Sequence, residues 1–467
     1  MSTRNQREAI SVDAAMKRAG ESAFQNAGRG RALGGVGLEQ EYFVIRIDES
    51  GRPAGRVALG GEDGVYAALD RLAERQPELW QKTGEFPGPW SYLLPQGGSL
   101  TFEPGGQIEH SAAVHRTAQE ALVDVCRMHG ALVGAMRGLG AVLVSSGLDV
   151  WHDIADVPLQ LAADRYVMMT KFFDRRGEWG RLMMRHTGSL QVNLDHGPEG
   201  VWQERWLLSN LVSPVVLATF ANSPGDEGLS MRGLAWQRLD PTRTGFPELL
   251  VSGASDDPRV QWGKAALDAD IMLIRRGRET WYAGRPGWTF RDWIEQGHAE
   301  LGWPTQDDLD YHLTTLFLEV RPKGFLEMRS CESLPAPWRA APVVLLTALI
   351  YDDRARRRAL DLLYDCRARL PELWARAAVH GLHDDELARL AGPLWEIALD
   401  GAGRFSEDFF GAQPLWVARR FIETMTAQGR MPADVLLELA DDERASLQWA
   451  AGFGWRGSEQ PLPEPVP

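Results

Sequence analysis

Cysteine is nearly absent from this 467-residue chain: only Cys126, Cys331 and Cys366 occur, an odd number with no CxxC spacing. That excludes a disulfide framework and fits reduced thiols in a cytosolic protein. No long apolar run is present either. The longest, Pro342 to Tyr351, falls far short of the ~20 residues that cross a bilayer. The polar N-terminus lacks the apolar core of a secretory signal, so a soluble, cytoplasmic protein is expected. Positive charge is in deficit, with a formal net charge of −14. This argues against nucleic acid or anionic membrane as a partner, and the 18 tryptophans have no basic stripe to accompany them. There is no internal repeat, GxxxxGK[ST] loop, HExxH pair or GxSxG elbow. The glycines at 28, 30, 34, 35 and 37 run into a strand rather than a helix, against the context a dinucleotide site requires. The ten histidines show no zinc spacing.

What is present is an ordinary globular composition, 44% hydrophobic and 24% charged. Helices are expected over 7–27, 61–81, 117–139 and 204–221, the last with Pro214 as a kink. Strands are expected in LEQEYFVIRID, in two pieces of SYLLPQGGSLTFEPGGQIEHS around Pro104-Gly105-Gly106, and in AVLVS. LQVNLD and the two halves of EVRPKGFLEMRS complete the strand set. Residues 336–450 read as helical, and the tail 461–467 as disordered. The order is not a βαβα alternation, which favours an α+β fold with an antiparallel sheet.

The chemistry lies in carboxylates two residues apart. Glu39 and Glu41 share a strand face. Two such carboxylates repel unless a proton, an arginine or a metal ion lies between them, and hard cations such as Mg²⁺ take oxygen ligands. Glu103 and Glu109 flank the Gly-Gly turn, which can fold them together. Glu327 with Arg329, and Glu319 with Arg321, repeat a Glu-x-Arg spacing whose plainer reading is cross-strand ion pairing. Gln191 and Asn193 are also two apart and suited to orienting a polar substrate, or simply to structural hydrogen bonds. Each spacing alone is a common one; five glutamates in separate short strands of one acidic chain make a joint pattern.

GLEQEYF, SLTFEPGGQIEHS, RHTGSLQVNLD, ATFANSP, DPTRTGF and HLTTLFLEVRPKGFLEMR resemble, in order and separation, the motifs of plant-type glutamate–cysteine ligases, which also occur in many bacteria. The γ-glutamylcysteine synthetase branch of ergothioneine biosynthesis is similar too. The resemblance covers roughly 30–355. It implies a glutamine-synthetase-like catalytic domain over 1–460: a curved, largely antiparallel sheet flanked by helices and closed by the helical part, as monomer or homodimer. It implies Glu39, Glu41, Glu103, Glu109 and Glu327 as ligands of two or three Mg²⁺ ions. Arg321, Lys323 and Arg329 would face ATP phosphates, with Arg321 and Arg329 acting on the transferred phosphoryl group. Arg232 and Arg243 would hold substrate carboxylates, and Gln191 and Asn193 would line the glutamate pocket. The implied activity is ATP-dependent formation of γ-glutamylcysteine from L-glutamate and L-cysteine through γ-glutamyl phosphate, for glutathione or a related thiol. Two segments depart from the family pattern. MRSCESLP stands where MRGADGGP is usual, and RYVMMTKFF carries Thr170 and Phe172 in place of a basic residue and a Tyr. If these border the acceptor side, another amine is the alternative; a non-catalytic binding relative or a phosphotransferase are the remaining ones. No counterpart of the plant regulatory disulfides is visible.

Overall fold

The computed structural model describes residues 10–77, 80–83, 90–276, 279–282, 287–336 and 338–452. The expected tail at 461–467 lies outside them. Among the described residues, ten strands form one sheet, every pairing antiparallel. Its order is 320–322, 326–328, 190–194, 36–47, 108–112, 98–102, 91–93, 81–83. The central strand, Val36–Ile47, changes partners along its length. Its first half pairs with 190–194 and 108–112; its second half pairs with 141–144 and 53–56. Glu39 and Glu41 thereby fall on this strand's first half, Glu109 on the strand beside it, Glu103 in the turn leading to that strand, and Glu327 one strand further out on the other side.

The expected strands are all found, and short strands the sequence did not announce join them at 53–56, 81–83, 244–245, 273–276, 279–282 and 317–318. The 91–112 stretch folds into three strands, not two, because Gly97 and Gly98 (φ +85° and +86°) make a further turn. The expected helix at 61–81 is shorter, Val65–Arg75, and 81–83 is the edge strand. The first helix is Val12–Ala23, where Ser11 accepts the Ala14 N–H as its N-cap; residues 7–9 of the expected span lie outside the described residues. Thr117 likewise caps helix Ala118–Arg137 by accepting the Glu120 N–H. Pro214 sits inside helix Trp202–Thr219.

The C-terminal part is helical as expected, and it shares the main core with the sheet rather than forming its own. All twelve residues of helix Ala340–Tyr351 are buried. This explains its lack of amphipathic pattern: it packs on helices Asp385–Ala402 and Ala412–Thr424 and on strand 190–194. A smaller core (Tyr42, Tyr92, Leu100, Ile108, Leu132 and Met136) lies where helix 118–137 covers the sheet. No helix among the described residues is long and apolar enough to cross a membrane.

Burial has a cost in acid. It pushes His110 and His196 down to about 4 and His312 to about 3. The unfolded chain takes these protons near 6.5. Below that pH the unfolded state binds more protons than the folded one, so this contribution is present above 6.5 and is lost as pH falls. His312, 1% exposed, bonds the Ala266 carbonyl (2.8 Å) and packs on Phe290. In urea titrations between pH 6.5 and 4.5, His312→Asn is expected to flatten the pH slope of stability. The difference from wild type is about 1.4 kcal/mol per pH unit; identical slopes would mean that His312 is solvated.

Candidate active site

The register of the central strand builds the site. Glu41 stands directly opposite Glu109, and Glu39 opposite Gln191 on one side and Ser111 on the other. Glu327 stands opposite Asn193 and, across its own hairpin, opposite Arg321. Glu103 enters from the turn after strand 98–102, whose closure is the Glu103 N–H bond to the Gln107 carbonyl (2.9 Å). Oxygens of Glu41, Glu103 and Glu109 come within 4.8 Å of one another.

These three line a cavity of about 280 Å³, together with Glu39, Gln191, Arg321, Lys323 and Arg329. Desolvation raises the pKa of all three, with Glu103 well above the usual carboxylate range; repulsion adds to this at Glu103 and Glu109, while Arg232 opposes it at Glu41. Burial and the charges of Glu327 and Glu109 push Glu39 up to about 7. Glu41 accepts the Ser189 N–H (2.7 Å), Glu109 the Thr101 hydroxyl (2.7 Å) and Glu39 the Asn193 amide (2.9 Å). A trio of converging, desolvated carboxylates fits a hard cation by donor type and spacing.

Glu327 behaves differently from its expected role as a fifth ligand. Its oxygens accept from Arg321 (Nε 2.5 Å, Nη2 2.9 Å), Lys323 (3.0 Å) and Arg329 (3.3 Å). Its pKa is accordingly driven below the ordinary range: burial alone would raise it, and the cations outweigh burial. The cross-strand ion pair here is Glu327 with Arg321, while Glu319 does not pair with Arg321. The three cations thus form one cationic wall facing the acidic trio.

The remaining expected residues divide. Gln191 lines the cavity and receives Arg329 Nη1 at 3.5 Å. Asn193 serves Glu39 and does not reach the wall. Arg232 stands behind Arg329, donating to its carbonyl (3.0 Å). Arg243 is not brought to the cavity. Fully buried, it commits its guanidinium to Asp240 (2.7 Å) and the carbonyls of Thr315 (2.9 Å) and Asp270 (2.6 Å), and it braces the loop structure. Glu319 turns away to Ser330 (2.6 Å).

The residues that depart from the family pattern lie behind the wall. Cys331, Glu332 and Ser333 are buried, and Glu332 accepts from Asn222, Ser223 and Ser230. Thr170 bonds the Tyr166 carbonyl (2.9 Å), and Phe172 lies under Arg243. None of these lines the cavity.

One wall residue escaped the sequence reading. Arg165 bonds only neutral groups, the Thr314 hydroxyl (3.1 Å) and carbonyl (3.0 Å), with no carboxylate partner among the described residues. Among the described residues it is a wall cation without an anion. The one sequence signal was its place at the head of RYVMMTKFF, beside the substitutions that drew attention instead.

Acidic trio and cationic wall face one another across one cavity. The chain belongs to glutamate–cysteine ligase family 2, whose profile matches residues 35–448. It is 38% identical over 322 residues to the glutamate–cysteine ligase EgtA of Mycolicibacterium smegmatis, covering 66% of this chain and 72% of that one. It is 34% identical over 393 residues to EgtA of Mycobacterium tuberculosis (82% and 85%) and 30% identical over 423 residues to the chloroplastic glutamate–cysteine ligase of Medicago truncatula (86% and 78%). The glutamate–cysteine ligase of Francisella tularensis, solved with AMP, shares the fold at TM-score 0.51 and 12% identity over 92% and 91% of the chains. The protein is therefore a ligase of this family with its fold.

Proposed function

We propose that the protein is an ATP-dependent, Mg²⁺-requiring ligase that joins the γ-carboxylate of L-glutamate to the amine of L-cysteine, for thiol biosynthesis. The observation that carries this reading is the convergence of Glu41, Glu103 and Glu109 opposite the Arg321–Lys323–Arg329 wall. An acidic chain needs local positive charge to hold ATP and glutamate, and this arrangement supplies it twice. Mg²⁺ held by the trio would neutralise charge on the ATP phosphates.

A carboxylate is a poor acyl donor, so it must be activated. Its γ-carboxylate oxygen takes the terminal phosphoryl group of ATP and ADP leaves. The amine nitrogen then bonds to the acyl carbon, phosphate leaves, and the amine gives up a proton. Arg321, Lys323 and Arg329 are placed to stabilise the charge spread over the phosphoryl oxygens. Arg165 is suited to a substrate carboxylate. The departures that pointed to another amine sit behind the wall, which favours cysteine as the acceptor.

With ATP, Mg²⁺ and glutamate, ADP release is expected to depend on cysteine, with γ-glutamylcysteine confirmed by mass. Turnover with a different amine and none with cysteine would overturn the acceptor assignment. Arg165→Met is expected to raise KM for one amino-acid substrate about 10–100-fold, the value of a lost charged hydrogen bond, with a smaller change in kcat. Unchanged KM values would remove Arg165 from the site.

A further inference from the structure

The turn carrying Glu103 is held more firmly than a turn requires. Its own closing bonds are present, Glu103 N–H to Gln107 (2.9 Å) and Gly106 N–H to Glu103 (2.8 Å). Beyond these, the Gly105 carbonyl accepts two side-chain donors, Arg56 Nη2 (3.0 Å) and Gln160 Nε2 (3.0 Å). The Pro104 carbonyl accepts the Gln160 N–H (2.7 Å), and Gln160 Oε1 is fixed by the Leu59 N–H (2.6 Å). Arg56 is anchored in turn by Asp149 (3.0 Å) and lies 4.6 Å over the Phe43 ring. The Arg56 and Asp149 side chains are 5% and 0% exposed. On the other side, any Cβ at Gly105 would collide with the Arg185 backbone, so the turn cannot retreat. None of Arg56, Gln160 or Asp149 lines the cavity.

This anchoring opposes a specific force. Glu109 and Glu41 both repel the Glu103 carboxylate. An unrestrained turn would relax by swinging Glu103 out, and the oxygen trio would disperse. We infer that Arg56 and Gln160 are positioning residues that clamp the 103–107 turn and keep Glu103 in the cation-binding trio. The inference rests on the metal-site reading above. It assigns affinity for the cation to two residues that touch neither the cation nor any substrate, as partners behind a ligand do.

Two variants separate the clamp from the fold. Arg56→Lys keeps the charge facing Asp149 but has one nitrogen and cannot also reach Gly105. Gln160→Glu keeps the acceptor for Leu59 and loses the donor to Gly105. Mn²⁺ binding to the substrate-free protein is read by electron paramagnetic resonance, alongside Glu103→Gln. Each clamp variant is expected to weaken Mn²⁺ binding about tenfold, with glutamate KM at saturating metal unchanged and turnover regained at high Mn²⁺. Wild-type Mn²⁺ affinity in both variants, with Glu103→Gln defective, would overturn the clamp. Equal losses in metal affinity and glutamate KM would also overturn it, as a merely structural effect. Wild-type affinity in Glu103→Gln would instead overturn the metal-site reading.

Discussion

Glu41→Gln is expected to lose at least about a hundredfold in turnover while the protein stays folded; loss of a direct ligand should exceed the 10–100-fold typical of outer partners. Gln has the shape of Glu and can still accept the Ser189 N–H. What it lacks is the charge, and the charge is what a cation needs from this strand. Stability should move the other way. In the metal-free protein Glu41 repels both Glu103 and Glu109, so removing its charge relieves strain. Sites under functional strain trade stability for activity in this manner. The Tm of metal-free Glu41→Gln should equal or exceed that of wild type, and its rise on adding Mg²⁺ should vanish. Wild-type turnover in this variant would dismiss the trio as a cation site. A lower Tm without metal would dismiss the repulsion.

Glu327→Ala is expected to damage fold and activity together. Glu327 is fully buried and balances Arg321, Lys323 and Arg329. Removing it leaves cations facing one another in a partly enclosed cleft. Breaking a buried pair in this way costs about 3–5 kcal/mol. Urea unfolding should show that loss, and ATP turnover should fall because the wall no longer holds one geometry. A loss under about 1 kcal/mol would mean that solvent screens the wall as it screens exposed pairs. The contrast with Glu41 is the test of their roles, since both are acidic residues on short strands of one sheet.

Much of the fold was legible because it depends on local pattern. A β-rich run marked strand 36–47, alternation marked strand 190–194, and amphipathic spacing marked helix 118–137. Fully buried helix 340–351 has no stripe to read, and only the helical composition of 336–450 as a whole pointed to it. The Gly97–Gly98 turn was missed because Pro104-Gly105-Gly106 is the louder signal nearby. Among site residues, the i,i+2 spacing of Glu39 and Glu41 and the glutamates either side of the Gly-Gly turn led straight to the trio. Arg243 misled because a motif arginine reads alike whether it holds a substrate or a loop; only its bonds to Asp240, Thr315 and Asp270 distinguish them.

The sequence by itself determined which residues share a strand face, since side chains alternate with a period of two. It also determined the helical character of 336–450 and the family. Tertiary structure alone decided which faces meet. Register set Glu41 against Glu109 and Glu327 against Arg321, making one a member of an acidic trio and the other the centre of a cationic wall. Long-range contacts brought Arg56 and Gln160 onto one carbonyl beside Glu103. Apart from the local 320–328 hairpin, such pairings follow from the packing of distant segments, and nothing within a few residues of them encodes it.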